Sequence, residues 1–309
     1  MTVEIFGTES LGVRGMSCLV TVGKRRILID PGIALGYQRH GLLPHPQQVA
    51  AGVKIRQSLL QAMESATDVV FSHFHGDHVP LLRANPYQLS FQQLPPRFPH
   101  LHCWSLCSPG CEFLEDLSPH MQSRVRDLDQ LLGPNMKTAT GCSDGPLRFS
   151  GPVPHGQSGS RLGSVMMTRV QMEGQVFVHA SDIQLLDERT IEKILLWNPD
   201  IVFAAGPPLY LQVLTDPLRR LAWENGLRLA RNVDTLVVDH HLLRSDEGLV
   251  WLDSISQAAG KKVFCAADFM NKSRRLLEAR RTELYRKFTV EENWHESYEK
   301  GRISLDIDP

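Results

Sequence analysis

VVFSHFHGDHVPL, residues 69–81, decides how the rest of the chain is read. Its opening, Val69-Val70-Phe71, is a continuous apolar run of the kind that makes a strand covered on both faces. Three histidines and one aspartate then fall within six positions, His73 to His78. In an extended segment residues two apart point the same way, so His73 and His75 can grip one cation together. Gly76 permits a sharp turn. Asp77 and His78 lie beyond it, opening a helix, where they can face a second cation. Imidazole and carboxylate donors in this mixture suit Zn(II), Fe(II) or Mn(II). One histidine at a strand end is more often an ordinary buried or surface residue, and it is the cluster that argues for metal.

On the N-terminal side, Cys18–Val22 and Arg26–Ile29 flank Gly23-Lys24 as a tight hairpin, and Val3–Phe6 is a further strand. Asp30-Pro31-Gly32 closes the second arm. Residues 33–52 read as irregular. Ile55, Leu59 and Met63 mark the buried face of a helix over 54–66, which feeds the strand at 69–72. Beyond the cluster, residues 84–145 read as a long irregular insertion with one helix near 119–132. Strands follow near 147–150, 164–170 and 175–180. Then helix and strand alternate: helix 187–197, strand 201–204, a helix from Asp216 as N-cap to about 230, strand 236–238, helix 249–259, strand 263–265, and a charged helix over 271–287. Asp30, His73, Asp182 and His240 each stand at the carboxyl end of one of these strands, the edge at which open α/β sheets bind ligands.

The 309 residues are 42% hydrophobic, enough for a sizeable core, and the alternation indicates a layered α/β class. A formal charge of −1 gives no global drive toward nucleic acid or membrane. No apolar run reaches the roughly 18–20 residues that span a bilayer. The opening MTVEIFGTES has neither a basic nor an apolar leader region, so a cytoplasmic protein is expected. Reduced thiols are expected in that setting. Cys103, Cys107, Cys111 and Cys142 leave a structural metal open, although their spacing is not that of a zinc knuckle.

His73-Phe74-His75-Gly76-Asp77-His78 reads H-x-H-x-D-H. Together with Asp30, His155 in GPVPHGQSGSRLG, Asp182 in FVHASD and the histidines of LVVDHHLLRS, it resembles the metallo-β-lactamase superfamily over roughly residues 3–270. IDPGIALG, SRLGSV, SDIQLL, GPPLYL and DHHLLR look most like a branch of predicted hydrolases common in archaea. The resemblance implies a four-layer αββα sandwich, one domain over 1–309. It implies that His73, His75 and His155 hold one metal, that Asp77, His78 and His240 hold a second, and that Asp182 bridges them. His241 is the alternative last ligand or a substrate contact. Asp30 would orient a ligand histidine by hydrogen bond. Two divalent ions, zinc first and iron or manganese as alternatives, would share a hydroxide with its pKa lowered to about 7. Asp77 can also accept a proton as the intermediate collapses.

Hydrolysis of an anionic ester, lactone or phosphodiester is the reaction expected, with a small anionic substrate as partner. Arg161 and Arg244, each close in sequence to a ligand histidine, can hold such an anion bidentately, or brace their loops against Asp239 or Asp246. Ser158 and Ser160 can add hydrogen bonds, and Tyr210 in GPPLY can reach the pocket or simply pack. His40 and His45 either line the pocket or lie on the surface. The competing readings are a mononuclear iron dioxygenase and a small metal-dependent nuclease, the latter disfavoured by the neutral charge. No membrane partner is expected, and a homodimer is left open. In the helix 271–287, Leu277 and Leu284 give an inner stripe and the charges a solvated face.

Overall fold

The computed structural model describes residues 2–303 and 305. Two six-stranded sheets form its centre. In the first, β1 (Thr2–Gly7), β2 (Ser17–Val22) and β3 (Arg25–Ile29) are antiparallel neighbours. β4 (Asp68–Phe71), β5 (His102–Ser105) and β6 (Met136–Thr138) extend it in parallel. Along the chain follow β7 (Ser143–Asp144), β8 (Leu147–Phe149), β9 (Val153–Pro154), β10 (Ser164–Val165), β11 (Thr168–Met172), β12 (Gln175–Ser181), β13 (Ile201–Ala205) and β14 (Thr235–Asp239). β9 and β10 pair as a separate ribbon. The other six make the second sheet in the order β14-β13-β12-β11-β8-β7, parallel from β12 to β14 and antiparallel elsewhere.

The sheets face each other where β2 meets β11. α1 (Pro46–Ser65) packs on β1 and β3, and α2 (Pro119–Leu132) on β6. On the far side, α3 (Glu188–Leu196) and α5 (Glu247–Ala259) flank α4 (Asp216–Asn232), which packs on β14. This is the αββα layering expected. α6 (Ala266–Phe269), α7 (Arg281–Lys287) and α8 (Trp294–Glu299) end the chain. Among the described residues no helix is long and apolar enough to cross a membrane. Parallel pairing puts the carboxyl ends of β3 and β4 together, and likewise those of β12, β13 and β14.

Several local expectations are corrected. α1 begins at Pro46, inside the stretch read as irregular, because His45 caps it: its Nδ1 accepts from Gln47 N at 3.2 Å. That places His45 in the core, whereas His40 is exposed. Residues 84–145 supply β5 and β6, whose parallel pairing needs no alternating pattern, as well as the expected α2. The helix at 216 has Thr215 at its N-cap position, without a side-chain hydrogen bond, and Asp216 already inside it. Val263–Cys265 touches the sheet only through a bridge between Phe264 and Val237. Only Arg281–Lys287 of the charged C-terminal helix is helical, since the chain before it is held to a loop instead: Arg275 N donates to Ser10 O at 2.7 Å. Nor are its charges simply solvated. Glu278 and Arg281 are buried, Arg281 donating to Gln48 Oε1 and Leu42 O. Cys107 and Cys111 form a disulfide, so they are neither free thiols nor metal ligands. Cys18, Cys103 and Cys265 are buried thiols and Cys142 an exposed one.

Candidate metal centre

Each strand end contributes one anchor to a buried polar cluster, and three of the anchor positions have backbone that L-residues rarely adopt. Asp30 (φ 47°), Ser181 (φ 55°) and His240 (φ 45°) all lie in the left-handed region. Such strain persists only where the surroundings over-determine it, and it gathers at functional sites. Close approach adds to the constraint, because a Cβ on Gly32 would collide with the backbone of His78 and Val79.

Asp182 Oδ2 is the focus. It lies 3.0 Å from His155 Nε2, 3.2 Å from His241 Nε2, 3.3 Å from His78 Nε2, 3.5 Å from His240 Nε2 and 3.6 Å from His73 Nε2. His75 Nδ1 lies 3.0 Å from His73 Nε2. Asp77 Oδ2 lies 3.6 Å from His240 Nε2. Two donor groups able to hold a cation result: His73, His75, His155 and Asp182; and Asp77, His78 and His240. Asp182, His240 and His241 form a further group, so both adjacent histidines reach the cluster. Asp182 Oδ1 and His78 Nε2 are buried with no hydrogen-bond partner among the described residues. Unpartnered buried polar atoms are costly, and a divalent cation would satisfy both. The donor set therefore fits a metal.

The surroundings fix which ring nitrogen faces inward. His78 Nδ1 donates to Asp30 Oδ2 at 2.9 Å, which leaves Nε2 free to ligate. Asp30 is itself held by Ser72, whose N donates to Oδ1 at 2.8 Å and whose Oγ donates to Oδ2 at 2.6 Å. With that hydroxyl proton committed, Ser72 Oγ accepts from His73 Nδ1 at 2.9 Å, turning His73 Nε2 toward Asp182. His240 Nδ1 donates to Glu9 Oε2 at 2.7 Å. Glu9 Oε1 also accepts from Arg244 Nε at 2.6 Å.

Electrostatics follow the same geometry. Burial opposes ionisation of Asp182 and Asp77, yet the facing histidines, His78 foremost, hold both carboxyls well below the usual range. Burial and then the neighbouring histidines push His73 down, and burial and then His155 take His75 to about 4. His78 goes the other way despite burial, drawn up by Asp182 and Asp30. His240 is likewise drawn up against burial, to about 9, by Glu9 and then Asp182.

The residues expected to meet substrate are placed as follows. Arg161 is exposed on the loop between β9 and β10 that also carries His155. Ser160 Oγ donates to His155 O at 3.1 Å and so braces that loop. Arg244 pairs with Glu9 rather than with Asp239 or Asp246. Its Nη1 donates to Tyr210 Oη at 3.3 Å, which places Tyr210 at the cluster's edge with the Arg39 guanidinium 4.7 Å above its ring. Asp239 instead ties loops together, accepting from Thr8 Oγ1, Ser10 N and Ala266 N at 2.9–3.0 Å. Sequence reasoning missed Glu9, Ser72, Ser181 and Gln184, whose Nε2 lies 3.5 Å from His155 Nδ1. Ser72 and Ser181 directly precede His73 and Asp182, a usable signal. Glu9, more than 200 residues from its partner histidine, offered none.

No family model matches the chain. It is 44% identical over 306 residues to a UPF0282 protein of Methanosarcina mazei, covering 99% of both chains. It is 32% identical over 294 residues to a UPF0282 protein of Pyrococcus furiosus, covering 92% of both. Among solved structures it is similar to CmlA, a diiron β-hydroxylase from Streptomyces venezuelae (13% identity, TM-score 0.46, 88% of this chain and 53% of that one). It is also similar to Zn(2+)-bound PqqB from Methylobacterium extorquens (13%, TM-score 0.44, 86% and 98%).

Proposed function

This chain belongs to the UPF0282 family, and we propose that it is a metal-dependent hydrolase acting on a small anionic ester, lactone or phosphodiester. One observation carries the reading: five imidazole nitrogens gather within 3.0–3.6 Å of Asp182 Oδ2. His73, His75 and His155 would hold one cation and Asp77, His78 and His240 a second, with Asp182 between them. When bound, such cations supply Lewis acidity and activate water near neutral pH.

The chain's own residues do the rest. Ser72, Asp30 and Glu9 hold the Nδ1 protons of His73, His78 and His240, so that each Nε2 lone pair points into the site. Asp77 lies at the rim, 17% exposed, where its carboxylate can take a proton from the reacting centre. His241, 12% exposed, can contact substrate.

A second reading is favoured by one contact. Arg244 Nη2 lies 3.1 Å from His240 Nε2 and 3.5 Å from Asp77 Oδ2, so a guanidinium already faces two of the second group's donors. With that arrangement kept, only the first group binds metal, and a mononuclear site, including an iron oxygenase, becomes the alternative. Elemental analysis of wild type beside His75→Ala tests both. About two equivalents of zinc or manganese, with turnover of a nitrophenyl phosphodiester or a lactone, is the result expected. About one equivalent of iron with oxygen uptake would replace the hydrolase by the alternative, and no metal under replete conditions would sink both.

A further inference from the structure

A half-buried arginine with no ion pair among the described residues stands over the motif that opened the sequence. α2 carries Arg124 to the His73–His78 segment, where its Nη1 donates to Phe74 O at 2.8 Å. Its Nη2 lies 3.4 Å from the point where a Cβ on Gly76 would stand. Three helix positions earlier, the Met121 sulfur lies 4.0 Å from the equivalent point on Gly163, and Gly163 O accepts from His155 N. α2 therefore runs along the cluster between its two ligand loops.

The segment under Arg124 carries two of the cluster's partly exposed members. His73, His78, His155, Asp182 and His240 are at most 1% exposed. His75, Asp77 and His241 are partly exposed. Gly76, under Arg124, joins the first two of these.

A guanidinium withdrawn from water is normally paired, because desolvating an uncompensated charge is costly. Arg124 is partly withdrawn, and its one hydrogen bond goes to a neutral carbonyl. Asp77 and Asp127 act on it only at a distance, and the Asp77 carboxylate is directed to His240 and Arg244. Among the described residues Nη2 and Nε have no acceptor. Neither other candidate offers this. Arg161 is exposed to water, and Arg244 spends its donors on Glu9, His240 and Tyr210.

We propose that Arg124 is the oxyanion contact of the site, donating through Nη2 and Nε to a phosphate or carboxylate oxygen of a ligand that enters past His75, Asp77 and His241. The proposal deepens the hydrolase reading and rests on it for the identity of the ligand as substrate. A planar fork of donors matches either anion bidentately, and it selects an anionic substrate over a neutral ester.

The test is titration calorimetry of zinc-loaded protein with inorganic phosphate and, separately, with acetate, which tells the two anion sources apart. Arg124→Met removes the fork. Arg124→Gln removes the charge while keeping an amide donor for Phe74 O, and so covers the case in which the methionine variant misfolds. At least about tenfold weaker binding of the preferred anion is expected in each folded variant, with zinc content equal to wild type and with Arg161→Met within about twofold of it. Wild-type affinity in Arg124→Gln, or a wild type that binds neither anion, would overturn the proposal. Zinc content measured on the same samples keeps the outcomes separate: absent zinc defeats the hydrolase reading, whereas retained zinc with anion binding indifferent to Arg124 defeats only this one.

Discussion

The two halves of the cluster are built from the same residue types and are held differently. In the first, His73, His75 and His155 gather with Asp182, and among the described residues no lysine or arginine is bonded to their ring nitrogens. In the second, His240 shares its carboxylate anchor with Arg244, and that arginine reaches back to the nitrogen that would ligate. Identical donors do not make equivalent sites. What stands behind each donor decides whether its lone pair is free.

The largest effect expected from breaking the comparison is at its centre. Asp182→Asn should abolish metal binding in both halves, read as metal content by plasma mass spectrometry, because five histidines drawn from both halves are arranged around that carboxylate. Retention of wild-type metal would remove Asp182 from the site. His75→Ala should empty the first half alone, dropping the content by about one equivalent.

Arg244→Met separates the halves. If the guanidinium competes with metal, the variant should gain about one equivalent over wild type. It also leaves Glu9 with one partner fewer, and removing one member of a buried ion pair costs about 3–5 kcal/mol, visible in urea melts. An unchanged content would show that the arginine and a metal coexist. Glu9→Gln should weaken binding in the second half by about 10–100-fold and leave the first unaltered, since it removes the carboxylate that orients His240 and anchors Arg244, both in the second half.

A smaller, pH-dependent effect lies further out on the second side. Burial pushes the Glu278 carboxyl up, but hydrogen bonds from Arg14 and then the charges of Arg14, Arg244 and Arg281 bring it down to about 2. A carboxyl lowered by folding stabilises the protein fully above its unfolded value, near 4.5, and that contribution is lost as pH falls toward 2. Urea midpoints for wild type and Glu278→Gln should therefore converge between about pH 4.5 and pH 2. A gap that persists at the acid end would assign the effect to packing. At the foot of the scale, Arg161→Ala should change stability by less than about 0.5 kcal/mol and leave metal content untouched.

The donors were legible because one anchor of each motif lies within two residues of a strand end, and strand ends announce themselves by apolar runs that stop. Asp30, His73, Asp182 and His240 were all found in this way. What lay behind the donors was not legible. Glu9 and Arg124 act across folded distance, and nothing beside them in sequence signals it. The same reason hid β5 and β6, whose place in the sheet comes from parallel neighbours far along the chain, and the inward turn of Glu278 and Arg281, whose partners are the distant Arg14 and Gln48. The start of α1 escaped because histidine is an uncommon cap.

The tie between the two ends of the chain bears on how the protein is made. Glu9 waits for His240, Ser10 for Asp239 and Ala267, and the carbonyl of Ser10 for Arg275. Synthesis proceeds from the N-terminus, so the early strands can pair while the rest is still emerging. His73 and His75 emerge from the ribosome long before the loop that carries His240. Completion of the second half thus waits for a late part of the chain, and a chain that stops before residue 240 carries at most the first.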